Sequence, residues 1–237
     1  MEKIRKEIDR NRTALLLKTG ILGAAVILAG DLLMGWGVRD AQLTGLAGQL
    51  SPYLAVSDSR MFWASVLGFT GVPLAVAGHF GIYRLIKPCS RSCARMYAAG
   101  NLGFLAFGGA GVHVSSVEAA FFYKYMTAAD AGTALASTVK FASCFLLPLY
   151  IVVLACWAVM VYAQIRAIAG KHSPYPRWCW VFSMLVGSLL VSPLGLLGNY
   201  APVNALMVGA FSLGNVWTLA GHLWMLRRSE KDGKLSE

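Results

Sequence analysis

Six apolar runs follow one another along the chain, and no other feature of the sequence constrains its fold as strongly. A helix of about 20 apolar residues spans the roughly 30 Å hydrocarbon core of a bilayer. The runs cover residues 13–36, 60–86, 97–123, 134–167, 176–197 and 202–226. The pattern predicts an all-α membrane protein, a helical bundle of six transmembrane helices.

Composition and charge placement divide the chain into three parts. Hydrophobic residues make up 57% and charged residues 14% of the 237 residues, which is typical of a membrane protein. We expect a basic cytoplasmic segment at 1–12, a transmembrane domain at 13–226 and a polar cytoplasmic tail at 227–237. The first apolar run is too long for a cleaved signal peptide and is interpreted as a retained span.

Three prolines predict bends within the runs. Proline removes a backbone donor and clashes with the preceding turn, so Pro73, Pro148 and Pro193 are expected to kink the second, fourth and fifth runs. The fourth run is also longer than a bilayer requires. Glycines in the third run, among them Gly100 and Gly103, indicate close packing of helices.

The basic residues predict the orientation. All but four of the 21 Lys and Arg residues fall in segments that share one side of a six-span topology; the exceptions are Arg39, Arg60, Lys124 and Lys140. The positive-inside rule then places both termini in the cytoplasm of a plasma-membrane protein. The net charge of +10 reflects this topology and contact with lipid headgroups. Because the basic residues are dispersed, the sequence indicates no nucleic-acid partner.

Motifs of soluble enzymes are absent from the sequence, which has no phosphate-binding loop, nucleophile elbow or HExxH. Cys89 and Cys93 form a pair with three intervening residues, but without a second pair or nearby histidine they are a weak zinc signal. The sequence identifies no cofactor and no oligomeric state. Its expected partners are the lipid bilayer and a small-molecule or lipid ligand.

Ionisable and amide groups at one depth of the bilayer form the candidate ligand-binding site. Helical rise places these groups together in the outer half of the bundle: Asp31, His113, Glu118, Lys140 and Asn199. Buried ionisable groups in a membrane cost several kcal/mol and mark functional sites. Two interpretations remain open. Either the groups line a shared polar pocket, or they hold helices together, with Asp31 paired to Lys140, His113 bonded to a backbone carbonyl and Glu118 at the interface.

Two further features allow alternative interpretations. His79 and His222 lie in the inner half, either as interfacial groups or, with His113, as weak candidates for metal ligands. The longest outer loop, residues 37–59, is either an amphipathic lid over the cavity or a simple connector.

Five sequence segments carry a resemblance to a bacterial family of small six-span integral membrane proteins of unknown function. The segments are GDLLMGWG, YLAVSDSRMFW, GVHVSSVEAAFFYKY, PYPRWCWVF and GNVWTLAGH. The resemblance implies the fold but no activity. Asp31, His79, His113 and His222 also give a weak resemblance to membrane hydrolases of the ceramidase and adiponectin-receptor type, which bind zinc through three histidines. This chain departs from that pattern because its last run lacks two histidines at helical spacing.

Three hypotheses of function follow. The leading one is that a polar pocket in the outer half binds or transports a small or lipid-like molecule. The second is a membrane-embedded, metal-dependent lipid hydrolase in which His113 is the general base or a metal ligand, and Asp31 and Glu118 orient it or coordinate the metal. The third is a structural or partner-binding subunit. The balance of features favours a protein that is not an enzyme.

Overall fold

The computed structural model describes residues 9–170 and 175–234, and within these ranges it contains helices and no β-strands. Short 3₁₀ helices cover Ser51–Ala55, Arg177–Val181 and Ser192–Leu197, and a π-helix covers Gly108–Val114, called the π segment below. The α-helices are α1 Arg10–Gly35, α2 Gly45–Leu50, α3 Asp58–Ile86, α4 Arg91–Phe107, α5 Ser115–Ala129, α6 Ala131–Phe145, α7 Leu147–Ala169, α8 Met184–Leu189, α9 Ala201–Val208 and α10 Ala210–Lys234.

Four helices of the described chain are long and apolar enough to cross a membrane: Arg10–Gly35, Asp58–Ile86, Arg91–Ala129 and Leu147–Ala169. A fifth is obtained if α9 and α10, which meet at an angle of 62°, form one broken span. The run at 176–197 instead divides into α8 and two 3₁₀ helices. The all-α prediction is confirmed, whereas the number of six transmembrane helices stays a prediction.

The three prolines have different effects. Pro73 lies inside the continuous helix α3. The fourth run divides at Leu146, two residues before Pro148, into α6 and α7. Pro193 lies in the first turn of a 3₁₀ helix in the divided fifth run. Proline therefore interrupts a helix here at two of the three positions where a bend was expected.

Helices α1 and α3 pack backbone against backbone through glycine. A Cβ atom on Gly20 would lie 2.4 Å from the Cα atom of Gly78, and one on Gly23 would lie 2.3 Å from the backbone nitrogen of Ala75. Real Cβ atoms do not approach so closely, so these positions require glycine. Gly100 and Gly103 of α4 also allow close packing, as the sequence predicts: a Cβ on Gly100 would lie 2.6 Å from the carbonyl oxygen of Cys156 in α7, and one on Gly103 would lie 2.3 Å from the Cys156 Sγ.

The bundle has two ends with different packing. The end where α1 and α4 begin and α3 finishes is called the basic end, and the other the opposite end. The half near the basic end is densely packed around fully buried side chains, including Leu17, Ile82, Tyr97, Met160 and Leu219. A smaller core nearer the opposite end packs Met34 and Met61 on Ala64 and Val117. The predicted terminal segments 1–12 and 227–237 lie partly outside the described residues.

Candidate functional site

A cavity of about 390 Å³ lies between α1, α3, the π segment, α7 and α10. Most of its wall is apolar. The wall includes Ile27, Val72, Phe104, Val153 and Phe211. Asp31 and His113 interrupt this apolar lining, and both side chains are only 14% exposed. The cavity therefore combines an apolar body with one polar wall, as ligand sites commonly do.

Asp31 reaches the cavity from the last part of α1, and its carboxylate is held by α10. The hydroxyl of the buried Ser212 donates to Asp31 Oδ2 at 2.5 Å. Gly209, the residue between α9 and α10, lets the helices approach, because a Cβ there would lie 3.6 Å from the Asp31 Cβ and 2.6 Å from Leu28 Cδ1. One carboxylate oxygen is thus anchored by α10, while Oδ1 faces His113.

His113 is positioned by the π segment and by two glycines. Its Nε2 lies 3.0 Å from the Ala64 carbonyl oxygen of α3. The ring lies against Gly68, where a Cβ would be 1.9 Å from His113 Cδ2, and a Cβ at Gly30 would lie 3.5 Å from Nε2. A π-helical turn changes the direction of the side chains that follow it, and such turns are frequent at functional sites.

The two side chains form a pair with a defined polarity. His113 Nδ1 lies 3.6 Å from Asp31 Oδ1. A carbonyl oxygen can only accept a hydrogen bond, so the proton of the neutral imidazole resides on Nε2 and points at Ala64. Nδ1 and Oδ1 are then two acceptors that face each other. The pair is complete only when a proton, a water molecule or a donor group of a ligand lies between them.

Donor groups also face the cavity. The indole Nε1 of Trp157, a cavity residue of α7, is buried and has no hydrogen-bond partner among the described residues. Tyr53 lines the cavity from the 3₁₀ helix Ser51–Ala55. Burial, and after it the nearby Asp31 carboxylate, raises the pKa of Tyr53, so its phenol stays protonated.

The other three residues of the predicted ligand site do not line this cavity. Glu118 is exposed on α5 and Lys140 is exposed on α6. The predicted pairing of Asp31 with Lys140 is therefore wrong, since Asp31 meets Ser212 and His113 instead. Asn199 is exposed at the opposite end. The bond from His113 to a backbone carbonyl is present, but in the same cavity as Asp31.

Asn199 binds the loop after α1. Its Oδ1 accepts from the backbone nitrogen of Arg39 at 2.9 Å, and its Nδ2 donates to the Arg39 carbonyl at 2.8 Å. Asn204 adds bonds to Asn199 Oδ1 and to the Gly37 carbonyl, both at 2.8 Å. These contacts hold the first part of the 37–59 loop over the opposite end of the bundle.

His79 and His222 are fully buried by protein, and their placement at the level of the interface stays a prediction. His79 lies between the Tyr97 hydroxyl at 2.7 Å and Asn215 Oδ1 at 2.8 Å. His222 Nδ1 donates to the Thr218 carbonyl at 2.8 Å, and its Nε2 lies 3.4 Å from Gln164 Nε2. Both imidazoles are thus occupied by protein groups on both ring nitrogens.

No three His, Cys, Asp or Glu side chains of the described residues come together as metal ligands. Of the histidines suggested as weak metal ligands, His113 lines the cavity, whereas His79 and His222 are buried in the helix packing. Burial raises the pKa of the Cys89 thiol to about 11, which disfavours the thiolate that zinc requires.

A second cavity of about 200 Å³ lies above the first, toward the opposite end. Its walls include Arg39, Gln49 and Asn204. The two cavities share Met34, Tyr53 and Val208 as lining residues. These three side chains, called the partition below, border both cavities.

The sequence pattern did not identify several residues of the cavity. Ser212 and Asn215 lie three residues apart in an apolar run, a spacing that places both on one helical face. Trp157 lies in the middle of the fourth run, away from the ends where interfacial tryptophan is expected. Polar groups at helical spacing and a central tryptophan were therefore available signals. Nothing in the sequence indicated the π segment.

The fold and the cavity define a helical-bundle protein with several apolar helices that are compatible with a membrane and with a partly polar internal site. The chain belongs to a family of unknown function (DUF6796), whose model matches residues 1–229. This agrees with the resemblance to an uncharacterised family. No curated protein and no solved structure matches the chain.

Proposed function

We propose that this protein is a multi-pass protein of the cell membrane that binds a small amphipathic or lipid-like molecule in the Asp31–His113 cavity and moves it between the cavity and the outer side. The observation that supports this is the placement of an acid and an imidazole at 3.6 Å in an otherwise apolar cavity of about 390 Å³. The apolar part of such a molecule would pack against the apolar cavity wall, and its polar group would contact Asp31 and His113.

The orientation in this proposal has both termini in the cytoplasm, so that the basic end is the inner end. We infer that residues 176–197 cross the bundle as a broken segment. Trp178 packs against Trp224 near the basic end, with ring centroids 6.0 Å apart, while Asn199 binds Arg39 at the opposite end. Backbone that is not helical is tolerated at membrane depth where it is covered by protein.

Two routes lead to the cavity. The partition of Met34, Tyr53 and Val208 separates it from the second cavity and hence from the outer side. Tyr53 belongs to the 37–59 loop, which supports the interpretation of this loop as a lid. The lining residues Tyr150 and Phe211 are 37% and 42% exposed, so the wall between α7 and α10 also reaches the molecular surface. A lipid-like molecule would enter there.

Photo-crosslinking tests this function. Three alkyl probes of equal length, each with a diazirine and ending in an amine, an alcohol or a carboxylate, are added to the protein in phosphatidylcholine nanodiscs. We expect at least one probe to label peptides of α7 and α10 that line the cavity, and a tenfold excess of the same amphiphile without diazirine to compete.

Neighbouring valines of α7 provide the control. Val153 lines the cavity, whereas Val152 is 39% exposed on the helix surface. Val153→Trp fills the cavity and should abolish competed labelling, whereas Val152→Trp should leave it unchanged. If the labelling by all three probes is not competed, or if it survives Val153→Trp, the cavity does not bind a ligand. That result would favour a structural subunit.

A further inference from the structure

Resting on the proposed function, we infer that the cavity selects an amphipathic amine: a protonated nitrogen with at least two N–H bonds, attached to an aryl or alkyl body. The acceptor pair, the aromatic lining and the unpartnered indole lead to this class in three steps.

The first step is the geometry of the pair. Because His113 Nε2 faces the Ala64 carbonyl, Nδ1 presents a lone pair to the cavity, as does Asp31 Oδ1. A nitrogen at about 2.9 Å from both atoms can donate one N–H to each across their 3.6 Å separation. An alcohol can donate to only one of them, and a carboxylate would face Asp31 with like charge.

The second step is the lining beside the pair. Aromatic residues on four elements contribute to the wall, namely Tyr53, Phe104, Tyr150, Trp157 and Phe211. Trp157 and Phe211 stack edge to face with centroids 5.7 Å apart. Aromatic faces attract cations and also pack against an apolar body. The wall therefore favours a positively charged group more than a neutral one.

The third step is the unpartnered Trp157 Nε1, which requires an acceptor. A buried N–H without a partner is costly, so a ligand that carries an oxygen acceptor on its body would gain from this contact. The complete ligand thus has an N–H-bearing cation at Asp31 and an acceptor at Trp157.

The other polar groups near the pair are the Ser212 hydroxyl of α10 and the neutral Tyr53 phenol, and Asn215 of α10 also lines the cavity. Toward the opposite end, Arg60 of α3 donates to the carbonyls of Leu33 and Trp36 rather than to Asp31.

Calorimetry with four probes that share one phenylbutyl group tests whether the cavity selects amines. The probes are 4-phenylbutylamine, its N,N,N-trimethyl derivative, 4-phenylbutanol and 4-phenylbutyrate, titrated into the full chain in phosphatidylcholine nanodiscs at pH 8. We expect the primary amine to bind at least tenfold more tightly than the other three. Alkyl amines stay protonated at this pH.

Two substitutions that each remove one negative charge provide the second test. Asp31→Asn keeps the shape of the side chain and should weaken the amine at least tenfold, whereas Glu118→Gln removes an acid outside the cavity and should have no effect. If Asp31→Asn does not fold, the comparison of the amine with its trimethyl derivative on the unmodified protein still decides. Phosphatidylethanolamine in the nanodisc distinguishes the source: competition indicates a lipid headgroup amine, and its absence indicates a soluble amine.

Tighter binding of the alcohol, the carboxylate or the trimethyl derivative would overturn the amine class and leave the proposed ligand-binding function intact. If none of the four probes binds while photo-crosslinking is competed, the amine class is wrong. If calorimetry shows no binding and photo-crosslinking is not competed, the proposed function is wrong together with the amine class.

Discussion

At the scale of single residues, glycine determines where the His113 imidazole lies. The ring occupies the space that a side chain at residue 68 would need, since a Cβ there would be 1.9 Å from His113 Cδ2. The same ring contacts the Ala64 carbonyl one turn earlier in α3 and faces Asp31 on α1. The pair therefore depends on a residue that itself has no side chain.

Gly68→Ala should displace His113 from Asp31 and destabilise the fold by about 1–3 kcal/mol, which is typical of an overpacked core. The free energy of unfolding in a detergent titration measures the stability, and probe binding measures the site. Gly111→Ala is the control, because a Cβ there meets its nearest neighbours at an ordinary 3.6 Å. Equal effects of the two substitutions would contradict this role of Gly68.

Residue patterns predicted the two central groups of the site because an acid and a histidine stand out within apolar runs. Asp31 and His113 do line one cavity. Glu118 and Lys140 stand out equally in the sequence, but depth alone does not determine which way a side chain points around its helix. Facing depends on local helical geometry, which the sequence left unspecified.

At the scale of elements, two irregular segments shape the site. The π segment Gly108–Val114 replaces the regular helix that apolar periodicity predicts, and it turns His113 toward α3. The fifth run contains Pro193 and is followed directly by Gly198, which has a φ of 105°, and it forms short helices rather than one span. Hydropathy does not reveal either departure, because both segments remain apolar.

The loop that covers the opposite end should loosen in Asn199→Ala. This substitution removes both hydrogen bonds to the Arg39 backbone and the contact with Asn204. At about 0.5–1.5 kcal/mol for each bond, amide hydrogen exchange in residues 37–44 should accelerate about tenfold or more. Gln42→Ala removes an exposed amide from the same loop and should leave exchange unchanged. Unaltered exchange in Asn199→Ala would mean that other contacts fix the loop.

At the scale of the whole molecule, the two halves of the bundle differ in packing. The half near the basic end is filled by side chains such as Tyr97 and Met160 and by histidines with occupied ring nitrogens. The other half contains both cavities described above. A bundle that is closed at one end and hollow at the other is suited to receive a ligand from the hollow side.

Reporter fusions test the orientation that makes the hollow half the outer one. Fusions after Lys87, after Lys171 and at the carboxyl terminus should be active in the cytoplasm, and fusions after Ser51 and Ala129 should be active outside. If the fusion after Ala129 is outside and the fusion after Lys171 is in the cytoplasm, the chain crosses the membrane an odd number of times between these two residues. A reversed result at any one site would break the six-span topology.

The most direct test of the account is thiol labelling of Ser116→Cys in a chain whose five native cysteines are replaced by alanine. Ser116 is one of the cavity-lining residues and is exposed. We expect membrane-impermeant methanethiosulfonates to label the cysteine at position 116 from the outer side only. A cationic reagent should react faster than an anionic one. Bound 4-phenylbutylamine should protect this cysteine from labelling. Labelling from the cytoplasmic side, or an outer-side rate unaffected both by reagent charge and by the amine, would contradict an outward cavity with an acidic binding group.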